Sequence, residues 1–137
     1  FEAFHTIMGA VLTFGIGVVS VSYIEKFNIL QASLEAMLRA IKALDPQPGI
    51  ILVDGIHSVP IPTRQKCLKK GDQISRSISA ASVLAKVYRD RIMVSYHSTY
   101  PAYGFDKNKG YGTRRHLEAL KQYGPSPVHR LTFKGVK

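Results

Sequence analysis

Two aspartates stand where short apolar runs end. Asp54 follows Ile50-Ile-Leu-Val53 without a break, and Asp72 follows Gly71 behind a run near Lys66 to Lys69. An acid at the C-terminal end of a buried strand lies where open α/β sheets place their ligands. On its own, Asp54-Gly55 reads first as a turn and Asp72 as a helix N-cap. Two aspartates ending two neighbouring strands are less easily reduced to turns. Carboxylates within about 4 Å repel by ~4 kcal/mol at an effective dielectric near 20. A hard divalent cation removes that penalty, and Mg²⁺ binds a few carboxylates together with substrate phosphates. Lys69, Lys70 and Arg76 beside them suit a phosphate-bearing substrate. The chemistry indicated is metal-assisted phosphodiester hydrolysis.

A second constellation is Lys107-Asn-Lys-Gly-Tyr-Gly-Thr-Arg-Arg115, which sets a tyrosine among glycines and cations ahead of a helix. Such a loop contacts phosphate through charge and backbone amides while Tyr111 stacks on a sugar or base. A solvated basic loop with a packing tyrosine accounts for the composition equally well. Tyr88, Tyr96, Tyr100, Tyr103 and Tyr123 are expected in the core or half-buried. None of the five histidines has metal-ligand spacing, and His116 and His129, among basic residues, are expected at the surface or against phosphate. No nucleophile elbow, phosphate-binding loop or dinucleotide fingerprint occurs. Cys67, the one cysteine, is expected as a small packed residue and excludes an intrachain disulfide framework, which suits a reducing cytosol.

The elements that must position these residues follow from local signals. Thr6 to Ile24 is a run of 19 uncharged residues, yet Gly9, Gly15 and Gly17 make it a poor membrane helix. Val11 to Val19 is expected as a buried strand. Ser22-Tyr-Ile-Glu25 has capping-box spacing for a short helix, and Asn28-Ile-Leu-Gln31 repeats the signal. In the second helix Leu30, Leu34, Met37, Leu38, Ile41 and Leu44 form one apolar face, stopped by Asp45-Pro-Gln-Pro-Gly49. Ile50 to Val53 reads as a strand covered on both faces. His57 to Thr63 is a loop, and the residues near Lys66 to Lys69 are a short strand. A long helix runs from about Ser75 to Tyr96, its small N-terminal residues suited to tight packing. A loop covers Tyr100 to Gly112. A last helix spans about Thr113 to Tyr123, stopped by Gly124-Pro125.

The chain of 137 residues, 45% hydrophobic, has the length of one globular domain. Its net charge of +10 calls for an acidic partner such as nucleic acid. The charge is asymmetric. Residues 1–63 carry three basic and five acidic side chains, whereas residues 64–137 carry sixteen and four, which places the electrostatic footprint in the second half.

Taken together, several motifs resemble type 2 ribonuclease H, the bacterial ribonuclease HII family. They are Val53-Asp54-Gly55, Lys70-Gly71-Asp72, Ser79-Ala-Ala-Ser-Val-Leu-Ala-Lys86, Arg89-Asp90-Arg91, Tyr100-Pro-Ala-Tyr-Gly-Phe105, Lys109-Gly-Tyr-Gly-Thr113, His116-Leu-Glu-Ala-Leu120, Tyr123-Gly124 and His129-Arg130. Asn28-Ile-Leu-Gln-Ala32 also fits, so the likeness covers nearly the whole chain, in order.

The resemblance implies an endonuclease that cuts the RNA strand of RNA–DNA hybrids and at ribonucleotides embedded in duplex DNA. It implies an α/β fold: a ribonuclease H-like mixed sheet with flanking helices, then a helical C-terminal region. Four carboxylates of the family hold two Mg²⁺ or Mn²⁺ ions, and two of them match Asp54 and Asp72. Tyr111 matches the tyrosine that packs on a deoxyribose next to the ribonucleotide, and Lys70 and Lys109 belong to the same two substrate-facing motifs. Asp90, in a helix beside Arg89, is expected in a structural ion pair. The complete protein is expected to be monomeric, cytoplasmic and free of membrane.

The departures from the pattern bear on function. The family's adjacent Asp-Glu pair and its Gly-Arg-Gly, which reads the 2′-hydroxyl, occur nowhere in these residues. Phe1 matches the family inside its first helix, after its first two strands. The chain is therefore expected to be a C-terminal fragment with two unpaired apolar strand edges, poorly stable and without normal activity alone. Ile56 stands where the family often has asparagine, and Thr132 where it often has serine. Residues 1–99 correspond to a partial catalytic domain, and residues 100–137 to a basic substrate-binding loop and C-terminal helix. Two other functions compete: a non-catalytic nucleic-acid-binding remnant using the basic half and Tyr111, and a membrane-attached protein using residues 6–24.

Overall fold

A computed structural model describes residues 2–109, 111–123 and 126–129. In chain order the elements are α1 (Glu2–Ala10), α2 (Val21–Phe27), α3 (Ile29–Lys42), β1 (Ile50–Asp54), β2 (Arg64–Leu68), α4 (Gly71–Ile74) and α5 (Arg76–Thr99). A 3₁₀ turn (Pro101–Tyr103), α6 (Phe105–Asn108) and α7 (Arg114–Tyr123) complete them. The expected helix stop at Gly124-Pro125, the match at Arg130 and the departure at Thr132 lie outside the described residues.

Local capping sets the helix starts. Asn28 Oδ1 accepts the Gln31 amide at 2.9 Å and opens α3, as its spacing predicts. Ser75 Oγ accepts the Ile78 amide at 3.3 Å and opens α5. The cap of α2 is Ser20 rather than Ser22: Ser20 Oγ accepts the Tyr23 amide at 3.4 Å, and Ser22 only bonds the Ser20 hydroxyl. The shift puts Ser22 inside the first turn, where its backbone is already helical.

β1 and β2 are parallel, with Asp54 opposite Leu68, and they are the two strands of the sheet among the described residues. From within β2, Gln65 holds the connecting loop through its side-chain amide. Its amide accepts the Val59 N–H at 2.7 Å and donates to the carbonyls of Val59 and Ile61. Ile41, Val53 and Val59 form one small core with Met37, Leu38, Ile51, Ile61 and Cys67 around it. A second core joins Tyr103, Phe105, Ala119 and Leu120, packed by Met93, Tyr96 and Tyr100.

Five expectations are corrected. Val11 to Val19 forms no strand, with Leu12 85% exposed, because no strand of the described residues lies beside it. It rests instead on α3, where Arg39, itself paired with Glu35, donates to the Val18 carbonyl at 2.8 Å. β1 is not covered on both faces: Val53 is buried, but Ile50 is half exposed. The small residues of α5 are mostly open, the burial falling on Ile78 and Leu84, since two strands give that helix little sheet to lie against. The segment from Tyr100 is no open loop: its 3₁₀ turn and α6 bury Tyr103, Phe105 and Asn108. Tyr123, expected at least half-buried, is 60% exposed at the end of α7. No helix among the described residues is long and apolar enough to cross a membrane.

Candidate active site

The strand end carries the first cluster. Parallel pairing continues past β1, with the Gly55 amide donating to the Leu68 carbonyl at 2.9 Å, so Asp54 and the turn after β2 meet at one edge. Gly55 turns the chain away at φ +112°. Asp54 does not spend its side chain on that turn. Its Oδ1 accepts the Gly71 amide at 2.9 Å, seventeen residues on, which sets Asp72, the next residue, beside it. Lys70 makes the approach in a left-handed conformation at φ +52°. Gly71 is buried, and a Cβ there would stand 2.6 Å from Ile78 Cδ1 and 3.3 Å from Leu68 Cβ. Asp72 lies in the first turn of α4, and the capping role falls to neither it nor any other side chain there.

Both carboxylates are exposed, and so are Lys69, Lys70 and Arg76, which stand close to Asp72 in sequence. Among the described residues, no group of three or more His, Cys, Asp or Glu could hold a metal ion. The donor set is therefore two hard, solvent-facing carboxylates, with Asp54 oriented through a single oxygen. That set fits Mg²⁺ or Mn²⁺ bound with water and phosphate oxygens, the usual partial protein coordination of Mg²⁺.

The second cluster is built on α5. Arg89 donates through Nη1 to the Lys109 carbonyl, and its guanidinium lies 5.2 Å from the centre of the Tyr111 ring. Tyr111 is 64% exposed, so one face is held by a cation and much of the ring is open. Lys109 closes α6 at φ +53°, and its ammonium bonds back to the Asp106 carbonyl. A mostly apolar groove runs along α5 beside it, lined by Val83, Val87 and Val94 with Lys86, Arg91 and Lys109. Asp90 forms the expected ion pair, with Lys86 at 3.4 Å rather than with Arg89.

The two clusters are separate. Arg89 stands thirteen residues along α5 from Arg76, a rise of about 20 Å. Asp54, Asp72 and Lys70 are brought together, and Lys109 and Tyr111 are brought together, but the two sets are not joined.

His116 and His129 are not at the surface. They are 4% and 7% exposed, with their Nε2 atoms 2.7 Å apart, because Tyr103 and Phe105 close over them. Burial, and then the neighbouring His116, lower the His129 pKa from 6.5 to about 4. As pH falls, the unfolded chain takes up this proton first. The contribution to stability is thus complete above about pH 6.5 and is lost as pH falls toward 4. Between pH 7 and 4.5 the urea midpoint of the chain is expected to drop further than that of His129→Gln, which stays neutral. Equal drops would show that His129 does not titrate in this way.

The comparisons with known proteins agree with one another. The family model described as ribonuclease HII matches residues 6–136. A ribonuclease HII of Geotalea daltonii is 51% identical over 136 residues, covering 99% of this chain and 63% of the relative. One from Syntrophobacter fumaroxidans is 54% identical over 123 residues, covering 90% of this chain and 53% of the relative. The chain thus spans between about half and two thirds of these relatives' length. The crystal structure of ribonuclease H2 from Pyrococcus horikoshii superposes with a TM-score of 0.80 at 20% identity, over 97% of this chain and 71% of that one, a likeness of fold.

Proposed function

Since the chain belongs to the ribonuclease HII family, we propose that it carries part of a metal-dependent endonuclease. Its substrates would be the RNA strand of RNA–DNA hybrids and ribonucleotides embedded in duplex DNA, cleaved by two-metal-ion hydrolysis. The observation that carries this reading is the Asp54 Oδ1 to Gly71 N–H bond, which joins the ends of the two strands into one acidic edge.

Two divalent cations, Mg²⁺ or Mn²⁺, would polarise the phosphoryl group and help activate water. Asp54 and Asp72 would hold them, and the Gly71 amide keeps Asp54 aimed while engaging one of its oxygens. Lys69, Lys70 and Arg76 attract the phosphate chain to that edge. Tyr111 offers its open ring to a deoxyribose, steadied by Arg89 behind it. Lys109 lines the adjoining groove. On this reading residues 1–99 form the partial catalytic domain, and residues 100–137 the substrate-binding loop and C-terminal helix. The residues in hand supply two of the four carboxylates that the resemblance calls for. A non-catalytic nucleic-acid-binding remnant using the basic half and Tyr111 is the second reading, favoured by the open Tyr111 ring held against Arg89.

Titration with Mn²⁺ tests the metal edge directly. Paramagnetic broadening is expected first at the amides of Asp54, Gly55, Gly71 and Asp72, and it should vanish from them in Asp54→Asn. Broadening spread evenly over all the exposed acids would remove the site.

A further inference from the structure

His116, on α7, and His129, thirteen residues later, form a hydrogen-bond chain that runs in one direction. Ser126 donates its backbone N–H to His129 Nδ1 at 2.9 Å, with its hydroxyl oxygen 2.8 Å from the same nitrogen. A backbone N–H only donates, so Nδ1 accepts and the His129 proton sits on Nε2. That proton faces His116 Nε2 at 2.7 Å, which must then accept, leaving the His116 proton on Nδ1. Nδ1 lies 2.8 Å from the Tyr111 carbonyl oxygen, an acceptor, and closes the sequence. Each link is satisfied only with both rings neutral, since a proton added to either sets one N–H against another.

The surroundings support neutrality. The rings of Tyr103 and Phe105 lie 4.7 Å and 5.5 Å from that of His129, and Tyr96 of α5 and Tyr100 just beyond it pack against the same core. Arg115, next to His116, lies over Gly104. Burial among these rings disfavours the charged form of His129. The chain ends on the residue whose ring is the most exposed aromatic of the loop. The carbonyls of Lys109 and Tyr111 are thus held from two different helices, by Arg89 of α5 and His116 of α7.

We propose that His116 and His129 are positioning residues for Tyr111, their one-way relay fixing the backbone that presents its ring to a nucleotide. The proposal rests on the assignment of Tyr111 to substrate, and the test separates the two.

Long-range ¹H–¹⁵N spectra of the chain with ¹⁵N-labelled histidine read the tautomers without nucleic acid. At pH 7 the expected result is His129 protonated on Nε2 and His116 on Nδ1. Reversed tautomers, or a cationic ring, overturn the relay. Binding of a fluorescent RNA–DNA hybrid then reads the role. His116→Phe keeps the volume and loses the donor, and it is expected to weaken affinity about tenfold, the size of one lost hydrogen bond. His116→Asn places an amide N–H where Nδ1 stood and is expected to restore affinity to within about threefold. Equal losses in both variants overturn the positioning role, and so does no loss in Phe. If His116→Phe fails to fold, the Asn variant and the tautomers still decide. Assigned tautomers with an unchanged affinity in Tyr111→Ala would locate the failure in the substrate assignment of Tyr111, and the positioning role would fall with it.

Discussion

Asp54→Asn and Asp72→Asn are each expected to abolish Mg²⁺-dependent hybrid cleavage while leaving hybrid affinity within about twofold. The assay joins this chain to a family segment bearing Asp-Glu and Gly-Arg-Gly, so that four carboxylates are present. Asparagine has the shape of aspartate, and its carbonyl oxygen can still accept the Gly71 amide, so the strand-end junction survives and only the charge is removed. Charge stabilisation by a bound metal is worth several kcal/mol, which corresponds to a loss of about 10³-fold or more in rate. On the proposed reading, affinity would come instead from cations such as Lys69, Lys70 and Arg76, which the substitutions do not touch. Cleavage at the parent rate in either variant would remove that aspartate from the site. A joined chain with no metal-dependent cleavage at all would favour the binding remnant.

How far the sequence reveals this arrangement depends on the range of the interaction. The Asn28 and Ser75 caps, the apolar run of β1 and the long α5 are legible because each is decided within a few residues. Asp54 and Asp72 stand out for the same reason, as acids ending short strands. What the pattern does not carry is the link between them, a side-chain bond across seventeen residues through a glycine amide. His116 and His129 are misplaced by local reasoning because their neighbours in sequence are basic. Their burial depends on Tyr103 and Phe105 arriving from a different segment. A signal was present in the Tyr-Gly-Phe run at 103–105, where two aromatics in a supposed loop announce a small core. Arg89 was legible only as part of a motif. Its hold on Lys109 and Tyr111 is tertiary.

The glycines of the first segment look alike in sequence, yet the same substitution is expected to act with opposite signs. Gly9 sits within α1, and a Cβ there meets nothing within 4 Å. Gly9→Ala should therefore stabilise the chain by up to about 1 kcal/mol, through helix propensity and a less flexible unfolded state. Gly17 lies where the segment after α1 meets α3, and a Cβ would fall 1.8 Å from the Ala36 carbonyl oxygen, 2.7 Å from its carbon and 2.9 Å from the Ala40 nitrogen. All three are backbone atoms, so no rotamer change relieves the clash and the segment must lift from the helix. Gly15 faces the Ala40 carbonyl oxygen in the same way at 2.1 Å. Overpacking of this kind costs about 1–3 kcal/mol, or more where backbone must move. For a chain of this length each kcal/mol corresponds to a Tm change of about 3–6 °C. Thermal unfolding followed by circular dichroism should place Gly17→Ala well below the parent chain and Gly9→Ala at or above it. An unchanged Tm for Gly17→Ala would mean that residues 11–20 are not seated on α3. The contact that replaces the expected strand pairing would then be absent, and the reason those glycines are tolerated would have to be sought in a sheet.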